Sequence, residues 1–185
     1  REAGNLTDMM AFWPNEQAPT HLITCVEGGR QQLSGDSDTR NYAPGDKFNP
    51  SVQRIRLADG QVETVLRGMS ACDGIRRTDW GTILATEETG DGGAYEIMDP
   101  LALSNEHVID RASGAVTNPA MIAKRTALPT MAWEGLEVLP NGVVIAGDEL
   151  RPGTGGADMD GGAIFKFIPA TLRTGGGTIS GLNES

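Results

Sequence analysis

The chain has 185 residues, a formal charge of −10 and 38% hydrophobic residues, with 25 glycines and 10 prolines. That length allows one domain with a core or part of a larger one, and the composition suits many short strands joined by turns. The acidic balance argues against a nucleic acid partner, because phosphate binding rests on Lys and Arg, and no apolar run approaches the roughly 18 residues of a membrane helix.

The first residue is Arg1 and no signal peptide precedes it, so the chain reads as a processed or excised piece. Asp8 to Trp13 is a short apolar segment stopped by Pro14. Thr20 to Val26 alternates, carries β-branched residues and suits a strand, with Glu27 at its end. Residues 28–50 form a long polar loop. Within it Asp36-Ser37-Asp38 resembles the start of a calcium loop, without the glycine and distant glutamate of an EF-hand. Ser51 to Leu57 and Gln61 to Leu66 then alternate on either side of Asp59-Gly60, which predicts a hairpin with Arg54, Arg56 and Glu63 outward.

Ala71 to Ile75 suits a short strand and residues 76–79 a turn. Trp80 to Thr86 is a strand that ends in Glu87-Glu88. After a glycine-rich turn, Ala94 to Met98 is another strand. Leu101 to Leu103 is read as a brief helix, and residues 104–120 alternate weakly. Leu136 to Leu139 and Gly142 to Gly147 flank the hairpin signal Asn141-Gly142, and the second of them ends in Asp148-Glu149. A glycine loop over 151–161 leads to a last strand, Ala163 to Ile168, and residues 170–185 are expected to be a flexible tail.

These segments repeat. The strand ending at Glu88 returns downstream, ending at Glu149, and a weaker copy at the same interval upstream ends at Glu27. Gly93 to Pro100 likewise parallels Gly162 to Pro169. Such a regular spacing, with three or four short antiparallel strands per unit, predicts an all-β fold of β-propeller blades, in approximate units 8–66, 67–127 and 128–169. A sandwich is the alternative, but it does not bring equivalent strand ends to one axis as a propeller brings Glu27, Glu88 and Glu149. Three units are fewer than the four or so a propeller needs to close. The expectation is therefore part of a larger propeller or an unusual closure.

Carboxylates grouped on one axis repel each other and resist ionising together unless a cation joins them. Glu87-Glu88 and Asp148-Glu149 sit where the strand pleat is expected to be lost, so both members of each pair can turn inward. Hard cations such as calcium take carboxylate oxygens, so the repeated acids predict a multi-cation site; the alternative is that they face water. Trp133-Glu134 brings a further acid into a strand, with the alternative of an aromatic plug beside a surface acid. Cys25 and Cys72 allow one disulfide but no framework. Cys72 is either a buried inert thiol or, near the acids, a thiolate favouring a softer metal such as iron. With only His21 and His107 there is no basis for a histidine-rich metal site or a His-based triad.

Cys72-Asp73-Gly74 followed by Thr78 to Glu88 resembles the "C-x-G-G…T-P-W-G-T-x-L-T-C-E-E" stretch of PhoX-type alkaline phosphatases, bacterial β-propeller enzymes. Asp8 to Glu27 looks like their first blade, and Trp133 to Glu149 with Ala163 to Pro169 looks like their "H-E-G…G-D-D…Y-K-F-V" stretch. The resemblance covers most of residues 8–169. Asp79 stands where the family has proline, Thr86 where it has the second cysteine and Trp133 where it has histidine. The resemblance implies an exported protein, periplasmic or secreted, that hydrolyses phosphate monoesters with iron and calcium. It implies Cys72 and Glu87 as iron ligands and Glu88, Glu134 and Asp148 as further ligands, mostly to calcium. A metal-bridging oxo or hydroxide group would be the nucleophile. Family members run longer, and their later blades bring further carboxylates and a phosphate-holding arginine, so this chain is expected to hold part of the site. The other functional reading is a non-catalytic calcium-binding propeller or interaction module, partnered by the rest of its own propeller or by another chain.

Overall fold

The computed structural model describes residues 6–30, 48–154, 156–157 and 160–185; the calcium-loop-like Asp36-Ser37-Asp38 lies outside them. The described residues contain no α-helix. They form thirteen strands: β1 (Thr7–Trp13), β2 (His21–Val26), β3 (Pro50–Arg56), β4 (Val62–Arg67), β5 (Cys72–Arg77), β6 (Ile83–Glu87), β7 (Ala94–Ile97), β8 (Glu106–Asp110), β9 (Ala115–Val116), β10 (Ile122–Lys124), β11 (Trp133–Val138), β12 (Val144–Asp148) and β13 (Ile164–Phe167). A single 3-10 turn, Leu182–Glu184, follows. The fold is all-β, in three mostly antiparallel sheets with strand orders β1-β2-β3-β4-β8-β9, β10-β7-β6-β5 and β11-β12-β13.

The turn residues explain the strand connections. Gly60, at φ 72°, closes the β3–β4 hairpin as Asp59-Gly60 predicts. Gly81 and Gly142, equivalent positions of the repeat, both have φ 84° and lead into β6 and β12. Arg54 departs from expectation. It pairs with Glu63 and donates to the carbonyls of Pro100, Leu101 and Leu103, fastening the hairpin to that loop instead of facing water. Those carbonyls belong to a turn, not to the expected brief helix.

The sheets pack face to face around two apolar cores. The first joins the first and second sheets through Trp13, Ile23, Val52, Leu66, Ile75, Ile83, Tyr95 and Ile97. The second joins the second and third sheets through Trp80, Leu84, Trp133, Leu136, Val138 and Val144. Strand β5 lies against β1 on one side and β11 on the other, so the first strands of the three sheets run together. The sequence units are not respected throughout. β8 pairs parallel with β4, so the β8–β9 hairpin adds to the first sheet before β10 returns to β7. The C-terminal segment does not hang free either: Ile179 and Leu182 are buried, and the Ile179 amide donates to the Trp80 carbonyl.

Candidate metal site

The three sheets share one irregularity. β1 and β2 slip register between Thr7 and Met10, β5 and β6 between Cys72 and Ile75, and β11 and β12 between Trp133 and Leu136. The partners at the slip are Thr7 with Val26, Cys72 with Glu87 and Trp133 with Asp148, and the second-strand members of these pairs are evenly spaced along the chain. A β-bulge leaves an extra residue unpaired and re-aims its side chain. The first extra residue is Asp8, Asp73 or Glu134, an acid in every copy. One residue beyond each slip's far partner stands Glu27, Glu88 or Glu149, whose amide donates to the carbonyl of Leu6, Ala71 or Ala132. Each sheet thus presents two carboxylates from one end, one from its bulge and one from the end of its second strand.

The geometry is tightest between the second and third sheets. Carboxylate oxygens of Asp73, Glu88 and Glu134 lie within 4.8 Å of one another. Asp73 is 2% exposed, and its Oδ1 has no hydrogen-bond partner among the described residues. Burial, with Glu134, Asp8 and Glu27 nearby, pushes its carboxyl up to about 7. Burial, with the Glu149 carboxylate against it, pushes Glu88 up to about 8. Glu149 moves the other way, held low by the Glu88 hydrogen bond and by Arg151. Without a cation these acids hold protons that keep like charges apart. A bound cation would take the place of those protons, and three carboxylates supply the oxygen donors a hard cation needs.

Of the residues read from the sequence, Glu88 and Glu134 lie in this cluster. Glu149 touches it through Glu88, and the charge of Glu27 reaches both Asp73 and Glu88. The others are held elsewhere. Glu87 does not turn inward beside Glu88 as expected, because the pleat persists to the end of β6 and sends it to the opposite face. There it is fully buried, takes two guanidinium hydrogen bonds from Arg111 and accepts the Ser70 and Gly93 amides. Asp148 occupies the corresponding place in the third sheet, and its carboxylate accepts the Leu150 amide. Cys72 is joined to Cys25 by a disulfide, with Cα atoms 5.0 Å apart, so in this state its sulfur offers no thiolate to a metal.

Asp73 and Asp8 escape sequence reasoning as ligands. Asp73 lies inside the short strand expected over Ala71 to Ile75, and Asp8 opens the apolar segment that becomes β1. The usable signal is their position: each stands two residues beyond the carbonyl that receives the strand-end glutamate's amide, as Glu134 does. Gly92 and Gly162 mark the same repeat. A Cβ on either would lie 2.0 Å from the carbonyl oxygen of Glu87 or Asp148, so the chain must pass these points as glycine. Strand pairing makes Gly92 the counterpart of Gly162, one residue from the match that the sequence suggests. The chain matches no protein-family model and no curated protein sequence.

Proposed function

We propose that the three sheets are consecutive blades of a β-propeller and that the carboxylates gathered from their bulges and strand ends bind hard divalent cations, calcium foremost. The buried Asp73 carboxylate, whose Oδ1 has no hydrogen-bond partner among the described residues and which lies within 4.8 Å of Glu88 and Glu134, carries this reading. A buried polar atom without a partner costs on the order of 1–3 kcal/mol, a cost that a ligand at that atom would remove. The adjacency of β1, β5 and β11 supports the blade arrangement, since the innermost strands of neighbouring blades meet around an axis.

Together with the resemblance to PhoX-type phosphatases, the acid cluster supports a place in a metal-dependent phosphomonoesterase acting outside the cytoplasm. Calcium fits the donor set. Bound there, it would offset the charge of a phosphate group and stabilise charge that develops during phosphoryl transfer. Asp73, Glu88 and Glu134 would hold it, and Glu27 and Glu149 would add negative charge beside it. Iron does not fit the donors as they stand, because Cys72 is oxidised and Glu87 is taken by Arg111. That observation favours the second reading, a propeller that binds calcium without catalysis.

Terbium luminescence and calorimetry with calcium test the site. One or more calcium ions are expected to bind, with affinity at least about tenfold weaker in Asp73→Asn, the loss of a charged ligand costing above about 1.4 kcal/mol. Unchanged calcium binding in Asp73→Asn and Glu134→Gln refutes the assignment. Turnover of p-nitrophenyl phosphate that depends on calcium and on Glu88 favours the phosphatase over the non-catalytic propeller.

A further inference from the structure

The bulge acids Asp73 and Glu134 each follow a residue that occupies one and the same repeat position. Cys72 pairs with Glu87 and Trp133 with Asp148, the pair at which each register slip begins. Both side chains are buried, and both leave their own sheet to reach the preceding one. The Cys72 sulfur is bonded to that of Cys25 in β2 of the first sheet. The Trp133 indole N–H donates to the Gly92 carbonyl, 3.1 Å away, in the turn after β6 of the second sheet. One tie is covalent and the other a hydrogen bond, but each fastens the residue immediately before an acid of the cluster.

The acids have little else to aim them. Asp73 Oδ1 has no hydrogen-bond partner among the described residues, so the direction of this carboxylate follows from the backbone of its bulge. Gly74, on the far side of Asp73, is pressed between neighbours: a Cβ there would lie 2.6 Å from Leu136 and from Thr86. Gly135, on the far side of Glu134, has nothing within 4 Å of such a Cβ, which leaves Trp133 as the anchored flank of that acid. We propose that the Cys25–Cys72 disulfide and the Trp133–Gly92 hydrogen bond are equivalent positioning devices for the cation site, holding Asp73 and Glu134 where they share one ion with Glu88. Neither touches the ion. This rests on the cation reading above. It also ties the site to redox state, because a reductant can undo one of the two ties and not the other. Coupling of this kind is reciprocal, so calcium and the disulfide favour each other by the same factor.

Terbium luminescence and calcium calorimetry on the whole oxidised chain, on the same chain reduced and on Trp133→Phe test this. In the reduction, dithiothreitol supplies two electrons and two protons, the S–S bond opens to two thiols and the reagent closes to its own disulfide. Cys25→Ser combined with Cys72→Ser gives the opened state without thiols. Calcium affinity is expected to fall about tenfold or more in the opened state and in Trp133→Phe, the usual effect of losing a group that orients a metal ligand. Reciprocally, calcium should make the disulfide of the folded chain about tenfold harder to reduce. Arg111→Met, destabilised on the opposite face of β6, is the control and should bind calcium nearly as the wild type does. Circular dichroism establishes that each protein is folded; where the opened state does not fold, Trp133→Phe decides. Wild-type affinity in the folded opened state and in Trp133→Phe overturns the positioning role and leaves the cation site standing. A loss in only one of them overturns the equivalence of the two ties. An equal loss in Arg111→Met overturns the proposal too, since loosening anywhere would then suffice. If the oxidised wild-type chain binds no calcium, the cation reading itself fails and this one falls with it.

Discussion

Glu87 and Glu88 are neighbours in sequence and face opposite sides of their sheet. Glu87 is buried against Arg111 of the first sheet's edge, and Glu88 joins Asp73 and Glu134 toward the third. One carboxylate holds two sheets together, and the other is available to a ligand.

That division predicts separate consequences for the two residues. Removing one partner of a buried ion pair typically costs about 3–5 kcal/mol, because the other charge is left uncompensated. Arg111→Met should therefore lower unfolding free energy by roughly 3 kcal/mol in urea titration while calcium affinity changes little. Glu88→Gln should do the reverse, weakening calcium binding while leaving the metal-free protein as stable or more so. Equal effects of the two substitutions on calcium binding would contradict the division.

The acid cluster makes the calcium-free protein sensitive to pH. The folded-state values of Asp73, about 7, and Glu88, about 8, lie above those of free carboxylates. The folded state therefore binds more protons than the unfolded state between roughly pH 4 and 8, and stability falls as pH rises through that window. The contribution is fully present below the unfolded values and is lost as pH passes the folded ones. Thermal unfolding in a chelator should show this decline, and saturating calcium should flatten it by replacing the protons. Asp91 and Asp110, held low by hydrogen bonds, act in the opposite sense, and their contribution is lost in acid below roughly pH 4.

Gly92→Ala and Gly162→Ala each force a methyl group against a backbone carbonyl 2.0 Å away. Backbone cannot swing aside as a side chain can, so each should cost at least about 1–3 kcal/mol, the range of over-packed sites. Gly90→Ala, with open space around it, is the control and should change stability by less than about 0.5 kcal/mol. Denaturation midpoints of the three variants test the ranking.

The disulfide joins residues 47 apart, from β2 to β5 across the first core. Cross-links closing loops of this size contribute about 2–4 kcal/mol. Reduction, or the double substitution to serine, should lower stability by that amount. Mass spectrometry after alkylation should find no free thiol in the unreduced protein; two alkylated cysteines without reductant would remove the cross-link.

Much of this is legible in the chain. The alternating runs and the Asp-Gly and Asn-Gly turns locate most of the strands, and the regular spacing of the acid-ended strands identifies equivalent positions, because local backbone preferences and side-chain alternation act over a few residues. Glu27, Glu88 and Glu149 can be picked out for the same reason, whereas Glu134 is singled out by its place beside Trp133 at the start of a strand and by the family resemblance. The β8–β9 hairpin is not legible, since parallel pairing with β4 depends on what the distant strand offers and leaves no local mark. The packing of Ile179 and Leu182 is hidden in the same way within a glycine-rich segment.

Local chemistry along the chain is enough to specify an all-β protein built on a repeat with an acid at each strand end. Which acids meet is a matter of packing between sheets. A shared bulge turns Asp73 and Glu134 toward Glu88, the unbroken pleat of β6 sends Glu87 to Arg111, and the approach of β2 to β5 joins Cys72 to Cys25. The physical reason is range. A strand's own residues set its pleat, but the partner of a buried charge or thiol is whatever the packing of other sheets brings within a few ångströms.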